Sequence, residues 1–494
     1  MSASTPFALL ANATSLPWSD VPEWTMESFV QKTASELNRG ARLCAWFGVP
    51  ESNGTRLVAI LAFDADNTLA VARSTPFSGS YPALTPTHPQ AHLFEREVWE
   101  QHRLKPEGHP WLKPVRANHG NAPANGEFFR VNGREIHEVA VGPIHAGVIE
   151  PGHFRFQCNG EEVINLEIAL GYQHRGIEAA ALANGPQLVT MCQMETIGGD
   201  TTIGHATSYA MVLEALAGME APLRAQWLRA LALELERLAN HTGDLGALAG
   251  DVAFLPTSAA CGKLRGDFLN LTALICGNRF GRGLVRLGGC RHDLEPSRAN
   301  GLLEKLNRAL TDVEEATAWL WDANSVRSRF EGTGVVFTEQ AAAMGLVGVV
   351  ARASGLVRDV RFDHPAGWHR FAQVPVAVWP DGDVFARAKV RWLEIQRSGK
   401  FLTEQLAAAP EGAIRADVGP LAANTLAVVL AEGWRGEICH VALTDETGRF
   451  RRYKIMDPSF HNWIGMSLAL RGQAISDFPL CNKSFNLSYS GFDL

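Results

Sequence analysis

No two of the eight cysteines, at positions 44, 158, 192, 261, 276, 290, 439 and 481, stand three residues apart. That spacing argues against a zinc or Fe–S cage built by this chain alone, and a disulfide framework is not expected in a chain of this size. Most of these thiols read as small, buried, apolar side chains. No run approaches the roughly 20 apolar residues that a membrane-spanning helix needs. The first residues, MSASTPFALLANATSLPW, have neither a basic start nor a continuous apolar core, so no signal peptide is expected. Positive charge is not in excess either. The 45 Lys and Arg stand against 52 Asp and Glu, a formal charge of −7, which gives no electrostatic basis for holding nucleic acid or anionic lipid. Internal repeats and low-complexity tracts are also missing.

What is present is an ordinary globular composition, 46% hydrophobic and 20% charged, over a length sufficient for two or three domains. Phe29, Val30, Ala34 and Leu37 recur at helical spacing and predict an early amphipathic helix. ARLCAWFGVP and TRLVAILAF follow as strands joined through Glu51-Ser52-Asn53-Gly54, a strong hairpin signal. In Phe94 to Arg116 the residue types of Glu95, Arg96 and His109 suggest a surface ion pair and a loop histidine. Residues 117 to 138 are rich in Asn, Gly and Ala and read as a linker ending in a short strand. Beyond it, His153 to Cys158 alternates like one strand of a hairpin, and Leu166 to Leu182 reads as the entry to a helix. A helix at Leu166 to Leu182 would place Glu178 one turn after His174, on the same side. Met211 to Leu248 is strongly helical, with Pro222 as a boundary. Glu236, Arg237, Asn240, His241 and Asp244 sit there on adjacent turns, and buried charges among them are expected to be paired. The Gly- and Arg-rich run from Arg265 to Gly289 contains no G-x-G-x-x-G and no strand leads into it. Tight helix packing, with arginines reaching a neighbouring subunit, is expected there rather than a dinucleotide loop. Leu302 to Trp321 and Asp383 to Leu406 read as further helices, Trp434-Arg435-Gly436-Glu437 followed by ICHVALTDETGRFRRYKI as a hairpin over the cleft, and a final helix as the return of the C-terminus. The fold class is α+β: a small N-terminal α/β domain followed by a large, mainly helical domain with peripheral β-hairpins.

Two stretches carry a resemblance. Glu195 to Glu214, ETIGGDTTIGHATSYAMVLE, and Asp477 to Leu494, DFPLCNKSFNLSYSGFDL, resemble the two metal-binding segments of the large subunit of [NiFe] hydrogenases. In that family each segment carries a Cys-x-x-Cys, the first with a His four residues on. Anchored on His205 and Tyr489, the cysteine positions fall at Gly198, Thr201, Ser488 and Gly491, and no thiolate stands at any of them. Gly142-Pro143-x-His145 and Gly171-Tyr172-x-His174-Arg175-Gly176-x-Glu178 resemble the opening of the same subunit and of its complex I 49-kDa homologue. Arg352, Ser354, Gly355, Asp359 and Arg361 match a further family segment, and Phe94 to Arg116 resembles the signature of the complex I 30-kDa subunit. The resemblance therefore implies a fusion, with a 30-kDa-like domain at 1–116, a linker at 117–138 and a 49-kDa-like domain at 139–494. That fusion is typical of group 4, energy-converting hydrogenases of the formate hydrogenlyase type.

The resemblance implies a hydrophilic large subunit of a membrane-associated complex, taking part in electron transfer coupled to ion translocation. The missing thiolates imply that the chain holds no NiFe centre, because carboxylate and hydroxyl oxygens do not favour that low-valent site. Two alternatives are a catalytically empty coupling or scaffold subunit and an active [NiFe] hydrogenase. Catalytic candidates are Glu178, His174, Arg175, His205 and Asp200, and cofactor-binding candidates are His145, His153, Arg352 and Asp359. No directly bound cofactor is expected beyond a quinone or similar acceptor. The family's quinone-binding Tyr and His positions fall on Gly199 and Ile149, and neither residue is retained. Implied partners are an Fe–S small subunit of the complex I 20-kDa type, a ferredoxin-like Fe–S subunit and membrane-arm subunits, with Fe–S clusters in the partners and no nucleic acid. They would hold the chain on the cytoplasmic face of the membrane.

Overall fold

The computed structural model describes residues 5–116, 126–145 and 149–494. The N-terminal part builds on a sheet of β1 (Ala8–Leu10), β3 (Glu23–Trp24), β4 (Arg42–Glu51), β5 (Gly54–Phe63) and β6 (Thr68–Ser74), in the order β1-β6-β5-β4 with β3 parallel to β6. Strand β2 (Thr14–Pro17) leaves this sheet for another, described below. The expected helix is α1 (Met26–Asn38), capped by the Thr25 side chain, and its buried Phe29 ring lies 4.8 Å from that of Trp46 on β4. The expected hairpin is also present, with Glu51 paired to Gly54 across a Ser52-Asn53 loop. Glycine is required at 54: φ is 139° and a Cβ would stand 2.6 Å from the Phe77 carbonyl oxygen.

Next come β7 (Ser80–Pro82), α2 (His92–His102) and β8 (Lys105–Glu107), the two strands running parallel. Here the surface ion pair is corrected. Glu95 is fully buried and accepts from the Leu84 and Thr85 amides and the Thr85 hydroxyl. Arg96 donates to the carbonyls of Lys113 and Pro114 instead. Both side chains tie down loops whose backbone groups would otherwise lack partners. Of the expected linker, 117–125 lies outside the described residues. Its end is a strand, β9 (Ile136–Val141), which forms an antiparallel sheet with β10 (His153–Asn159) and β11 (Glu162–Ala169).

A second correction follows. Leu166 to Ala169 is still strand, and the helix expected from Leu166 begins only at α3 (Ile177–Asn184). Gly171 and Gly176 adopt φ of 111° and 64°, and Gly176 is the residue capping the helix. The left-handed turn puts His174 ahead of the helix, exposed, while Glu178 points inward. The one-turn pairing of the two side chains is therefore not formed.

The helical layer comprises α4 (Leu188–Met194), α5 (Thr202–Leu216), α6 (Leu223–Asp251), α7 (Leu255–Cys276), α8 (Pro296–Asp322), α9 (Asn324–Phe330), α10 (Thr338–Ala343), α11 (Gly348–Ala353), α12 (Val360–Asp363) and α13 (Val384–Ala407). Pro222 precedes α6, as the sequence suggests. The glycines of α6 permit close packing on α7: a Cβ at Gly246 would lie 2.7 Å from that of Cys261. Strands β12 (Val285–Arg286) and β13 (Gly289–Cys290) fold the Gly- and Arg-rich run into a small ribbon. The chain then forms β14 (Thr425–Glu432), β15 (Glu437–Thr444) and β16 (Phe450–Met456), a meander that β2 completes by pairing with β14. Helices α14 (Pro458–Ala469), α15 (Phe478–Phe485) and α16 (Tyr489–Phe492) close the chain. The fold is mixed helix and sheet, α+β. Among the described residues no helix is long and apolar enough to cross a membrane.

The N-terminal part is fastened to this meander by buried charge. Glu97 of α2 pairs with Arg116 at 2.9 Å and with Lys454 of β16 at 2.7 Å, and Lys454 also reaches Glu178 at 2.8 Å. Burial pushes the Glu97 carboxyl up, but Lys454 and Arg116 outweigh it and hold it at about 2. Removing one member strands the others in a dry interior. Glu97→Ala should therefore lower unfolding free energy by about 3–5 kcal/mol in urea titration. Glu107→Ala, in the exposed pair with Lys105, should change it by less than about 0.5 kcal/mol. Because the folded pKa of Glu97 is depressed, its contribution is complete above the unfolded value near ~4.3 and is lost as pH falls toward the folded one.

Candidate functional site

The four positions aligned with metal-ligating cysteines come together although nearly 300 residues separate the two segments. A Cβ built on Gly198 would lie 3.3 Å from Thr201 Oγ1 and 3.7 Å from Ser488 Oγ. Ser488 caps the last short helix, its Oγ accepting from the Gly491 amide at 2.9 Å. At Gly491 a Cβ would stand 2.6 Å from the Asp457 carboxyl carbon. The space a side chain at 491 would need is filled by that carboxylate.

Between the two segments stands Arg435, which no motif in the sequence marks as a site residue. It occupies the tip of the β14–β15 turn, where Gly433 and Gly436 exchange backbone hydrogen bonds of 2.8 and 3.1 Å. The turn is held against Gly348: a Cβ on Gly436, at φ 142°, would meet the Gly348 Cα at 2.8 Å. From this tip Arg435 donates to both Asp200 oxygens, at 2.5 and 2.9 Å, to Thr201 Oγ1 at 3.2 Å and to the Asn486 carbonyl at 2.6 Å. Trp434 and Asn240 both donate to the Asp200 carbonyl, each at 2.9 Å. The hairpin tip over the cleft is thus that of β14–β15, while the expected β15–β16 hairpin lies behind it in the same sheet.

This donor set does not fit a nickel–iron centre. Glycines 198 and 491 have no side chain, and Thr201 and Ser488 offer neutral hydroxyls where soft, charged thiolates are needed. A guanidinium 3.2 Å from Thr201 Oγ1 further opposes a cation. Of the two cysteines nearest in sequence, Cys192 is exposed and Cys481 packs under Gly334, with burial pushing its thiol up to about 12. Among the described residues no group of three His, Cys, Asp or Glu side chains is arranged to hold a metal ion.

A chain of buried hydrogen bonds starts at the same point. Asp457 Oδ2 lies 3.0 Å from His205 Nε2, His205 Nδ1 lies 3.1 Å from His440 Nε2, and His440 Nδ1 lies 2.8 Å from the Tyr453 hydroxyl. Burial raises the Asp457 carboxyl, but the His205 hydrogen bond and the Arg435 guanidinium bring it below the usual range, so it is an acceptor only. Burial and the neighbouring His205 keep His440 neutral, its pKa well below the ordinary histidine value. One set of donors satisfies every link: Tyr453 donates to His440, His440 to His205, and His205 to Asp457.

Glu236 of α6 touches the cleft from below, accepting from the amides of Ile203 and Gly204 at 2.8 and 3.3 Å. Burial dominates and pushes its carboxyl up to about 8, despite the two amides.

The other candidate residues are distributed around this cluster. Glu178 is buried and accepts from the Ile455 amide at 3.1 Å beside Lys454. His174 is exposed, and Arg175 donates to the carbonyls of Thr196 and Ile197 at 3.0 Å, on the segment leading into Gly198. The His145 ring lies 6.1 Å from that of Tyr489, and His153 is held near the Gly142 carbonyl at 3.4 Å. Arg352 and Asp359 are placed apart from the cleft, in a fully buried ion cluster. Glu234, Asp359, Glu394 and Glu432 there surround Arg237, Arg352 and Arg361, with His241 on Glu394 at 2.8 Å. Four carboxyls face three guanidinium groups, and burial with the nearby Asp359 charge pushes Glu432 up to about 7 against the pull of Arg352.

The raised Glu236 carboxyl predicts a protonated group at neutral pH. Because its folded pKa lies above the unfolded one, its contribution to stability is complete below ~4.3 and is lost as pH rises through about 8. Infrared difference spectra of wild type against Glu236→Gln should contain a protonated carboxyl band at pH 7 that disappears by pH 9. Its absence at pH 7 would show that Glu236 is ionised.

The sequence profile described as "Respiratory-chain NADH dehydrogenase, 49 Kd subunit" matches residues 251–426. The chain is 31% identical to the carbon monoxide-induced hydrogenase of Rhodospirillum rubrum, over 70% of this chain and 96% of that protein. It is 30% identical to formate hydrogenlyase subunit 5 of Escherichia coli, over 84% of this chain and 77% of that protein. It is 26% identical to the C/D subunit of the NADH-quinone oxidoreductase of Shewanella oneidensis, over 90% of this chain and 85% of that protein. The last alignment takes in both the N-terminal part and the large second part. The chain belongs to the family of these hydrogenases, is like the large subunit of the group 4 type, and carries a complex I 49-kDa subunit domain over residues 251–426.

Proposed function

We propose that this chain acts as a hydrophilic large subunit of a membrane-associated oxidoreductase complex, in electron transfer coupled to ion translocation, without a nickel–iron centre of its own. The observation that carries the proposal is the replacement of four thiolates by Gly198, Thr201, Ser488 and Gly491, with Asp457 and Arg435 in the space between them. The relatives are named as hydrogenase and NADH-quinone oxidoreductase subunits, which supports partner subunits around this chain. An Fe–S small subunit of the 20-kDa type, a ferredoxin-like subunit and a membrane arm are the proposed neighbours, on the cytoplasmic face. The proposed layout keeps a 30-kDa-like unit at 1–116 and a 49-kDa-like unit from 139, joined by the Glu97, Arg116 and Lys454 charges.

The chemistry open to this cleft is proton handling. A proton taken up by Tyr453 and passed through His440 and His205 would reach Asp457, each imidazole receiving a hydrogen at Nδ1 and giving one from Nε2, and the carboxylate keeping the last. Glu178, bonded to the amide two residues after Tyr453, places a further carboxylate beside that chain. A second reading is a coupling subunit that turns over nothing itself. It is favoured by the ion pair of Asp200 with Arg435 and the hydrogen bond of His205 to Asp457, which engage these side chains with one another rather than with a substrate.

The purified complex should contain no stoichiometric nickel and should neither evolve nor consume hydrogen. Near-equimolar nickel with hydrogen activity would overturn the proposal in favour of an active hydrogenase. Glu178→Gln should leave assembly intact and reduce turnover of the complex, by roughly 10-fold or more if the carboxylate carries protons. Unchanged turnover would return Glu178 to an anchoring role for Lys454.

A further inference from the structure

Away from the cleft, a cavity of about 190 Å³ opens between α5, the start of α6, β14 and the segment 360–370. Its rim is fixed by Asn12 from the chain start, which donates to the carbonyls of His364 and Leu430 and accepts from the Leu430 amide at 2.8 Å. Met211, Leu233, Val360, Trp368 and Leu430 supply apolar wall. Three polar side chains that line it are more than nine-tenths buried and each has an atom without a hydrogen-bond partner: Thr207 Oγ1, Gln226 Oε1 and His369 Nε2. The Glu234 carboxylate stands 3.7 Å from His369 Nε2, outside hydrogen-bond reach. Buried polar atoms are rarely left unmatched, and three around one cavity mark a place where something binds.

The cavity's charges say what that is not. Glu214 is paired with Arg229 at 2.6 Å, Arg361 with Asp359 at 2.6 Å, and Glu432 with Arg352 at 2.8 Å. At the surface, Arg370 is paired with Glu220. An entering ion would find no free counter-charge and would have to shed its water. The unpartnered atoms say what is needed instead. Gln226 Oε1 can only accept, so the occupant must donate, and Thr207 Oγ1 can give or take a hydrogen bond. A hydroxyl meets both demands. The size follows from the volume, since an apolar cavity of about 150 Å³ holds a benzene-sized guest. We infer that this cavity is a binding site for a small, uncharged hydroxyl compound with a ring-sized apolar body. It is separate from the cleft and does not depend on the function proposed for it.

Phenol is the probe, titrated onto the full chain and followed by saturation-transfer NMR, with toluene and benzoate as controls. Phenol should bind the wild type, toluene about fivefold or more weakly for want of the hydroxyl, and benzoate not detectably. Thr207→Val removes one hydroxyl without changing shape and should weaken phenol about fivefold while leaving toluene unchanged. Ala230→Leu, which adds bulk to the wall, should abolish binding of both. Thermal melts establish that each variant is folded, and if Ala230→Leu is not, Thr207→Val decides alone. No binding of phenol to the wild type overturns the inference and leaves water as the partner of the three atoms. Equal binding to wild type and both folded variants overturns it as well, as would benzoate competing with phenol.

Discussion

Arg237 is the hinge on which the arrangement turns. It is completely buried at the middle of α6 and bonds Glu234 on its own helix, Glu394 on α13, and the backbone carbonyls of Glu432 and Gly433 at 2.7 and 3.1 Å. A guanidinium cannot lose its proton in a protein interior, so every donor must find an acceptor there. Meeting that demand brings α6, α13 and the end of β14 to one point. Arg352 and Arg361 repeat the demand, drawing in α11 and α12 through Glu432, Glu394, Asp359 and Glu234.

The consequence for the cleft is direct. Glu432 and Gly433 immediately precede the turn that carries Trp434 and Arg435. Fixing their carbonyls fixes the direction of that turn, and so places the Arg435 guanidinium against Asp200 and Thr201. A charged ligand set of four thiolates would need its counter-charge from a metal. Here the carboxylates are met by side chains, Asp200 by the Arg435 guanidinium and Asp457 by a hydrogen bond from His205. The two segments are held together by hydrogen bonds and ion pairs that lie wholly within the protein.

The relatives named as hydrogenases and as NADH-quinone oxidoreductase subunits are similar in sequence over most of this chain, but family resemblance alone does not settle what a site does. What remains in this chain is a buried, fully hydrogen-bonded line from Asp457 to Tyr453 and a raised carboxyl at Glu236. Those groups suit the movement of protons better than the coordination of a soft metal.

The local elements were legible in the sequence because periodicity and turn chemistry are local properties. Phe29, Val30 and Leu37 mark α1, Glu51 to Gly54 marks a hairpin, and Pro222 marks the start of α6. The convergence of Gly198, Thr201, Ser488 and Gly491 was also legible, through the motif spacing of a resembled family. Two local expectations failed for a local reason: the left-handed turn at Gly176 starts the helix only after His174, and Glu95 faced inward to loop amides rather than outward to Arg96. Arg435, Asp457, His440 and Tyr453 left no such trace. Each is a single polar residue at a turn tip, before a helix or on a strand, and its partner lies 13 to 252 residues away. A lone side chain has no period, and its role is set by which distant group the packing of α5, α6 and the β14–β16 meander brings within hydrogen-bond reach. Residue types and spacing determined the elements and the loss of the thiolates, whereas the ion pairs and hydrogen bonds that fill the site were decided only by tertiary packing, because burial forces each charge to find its partner wherever the chain has placed one.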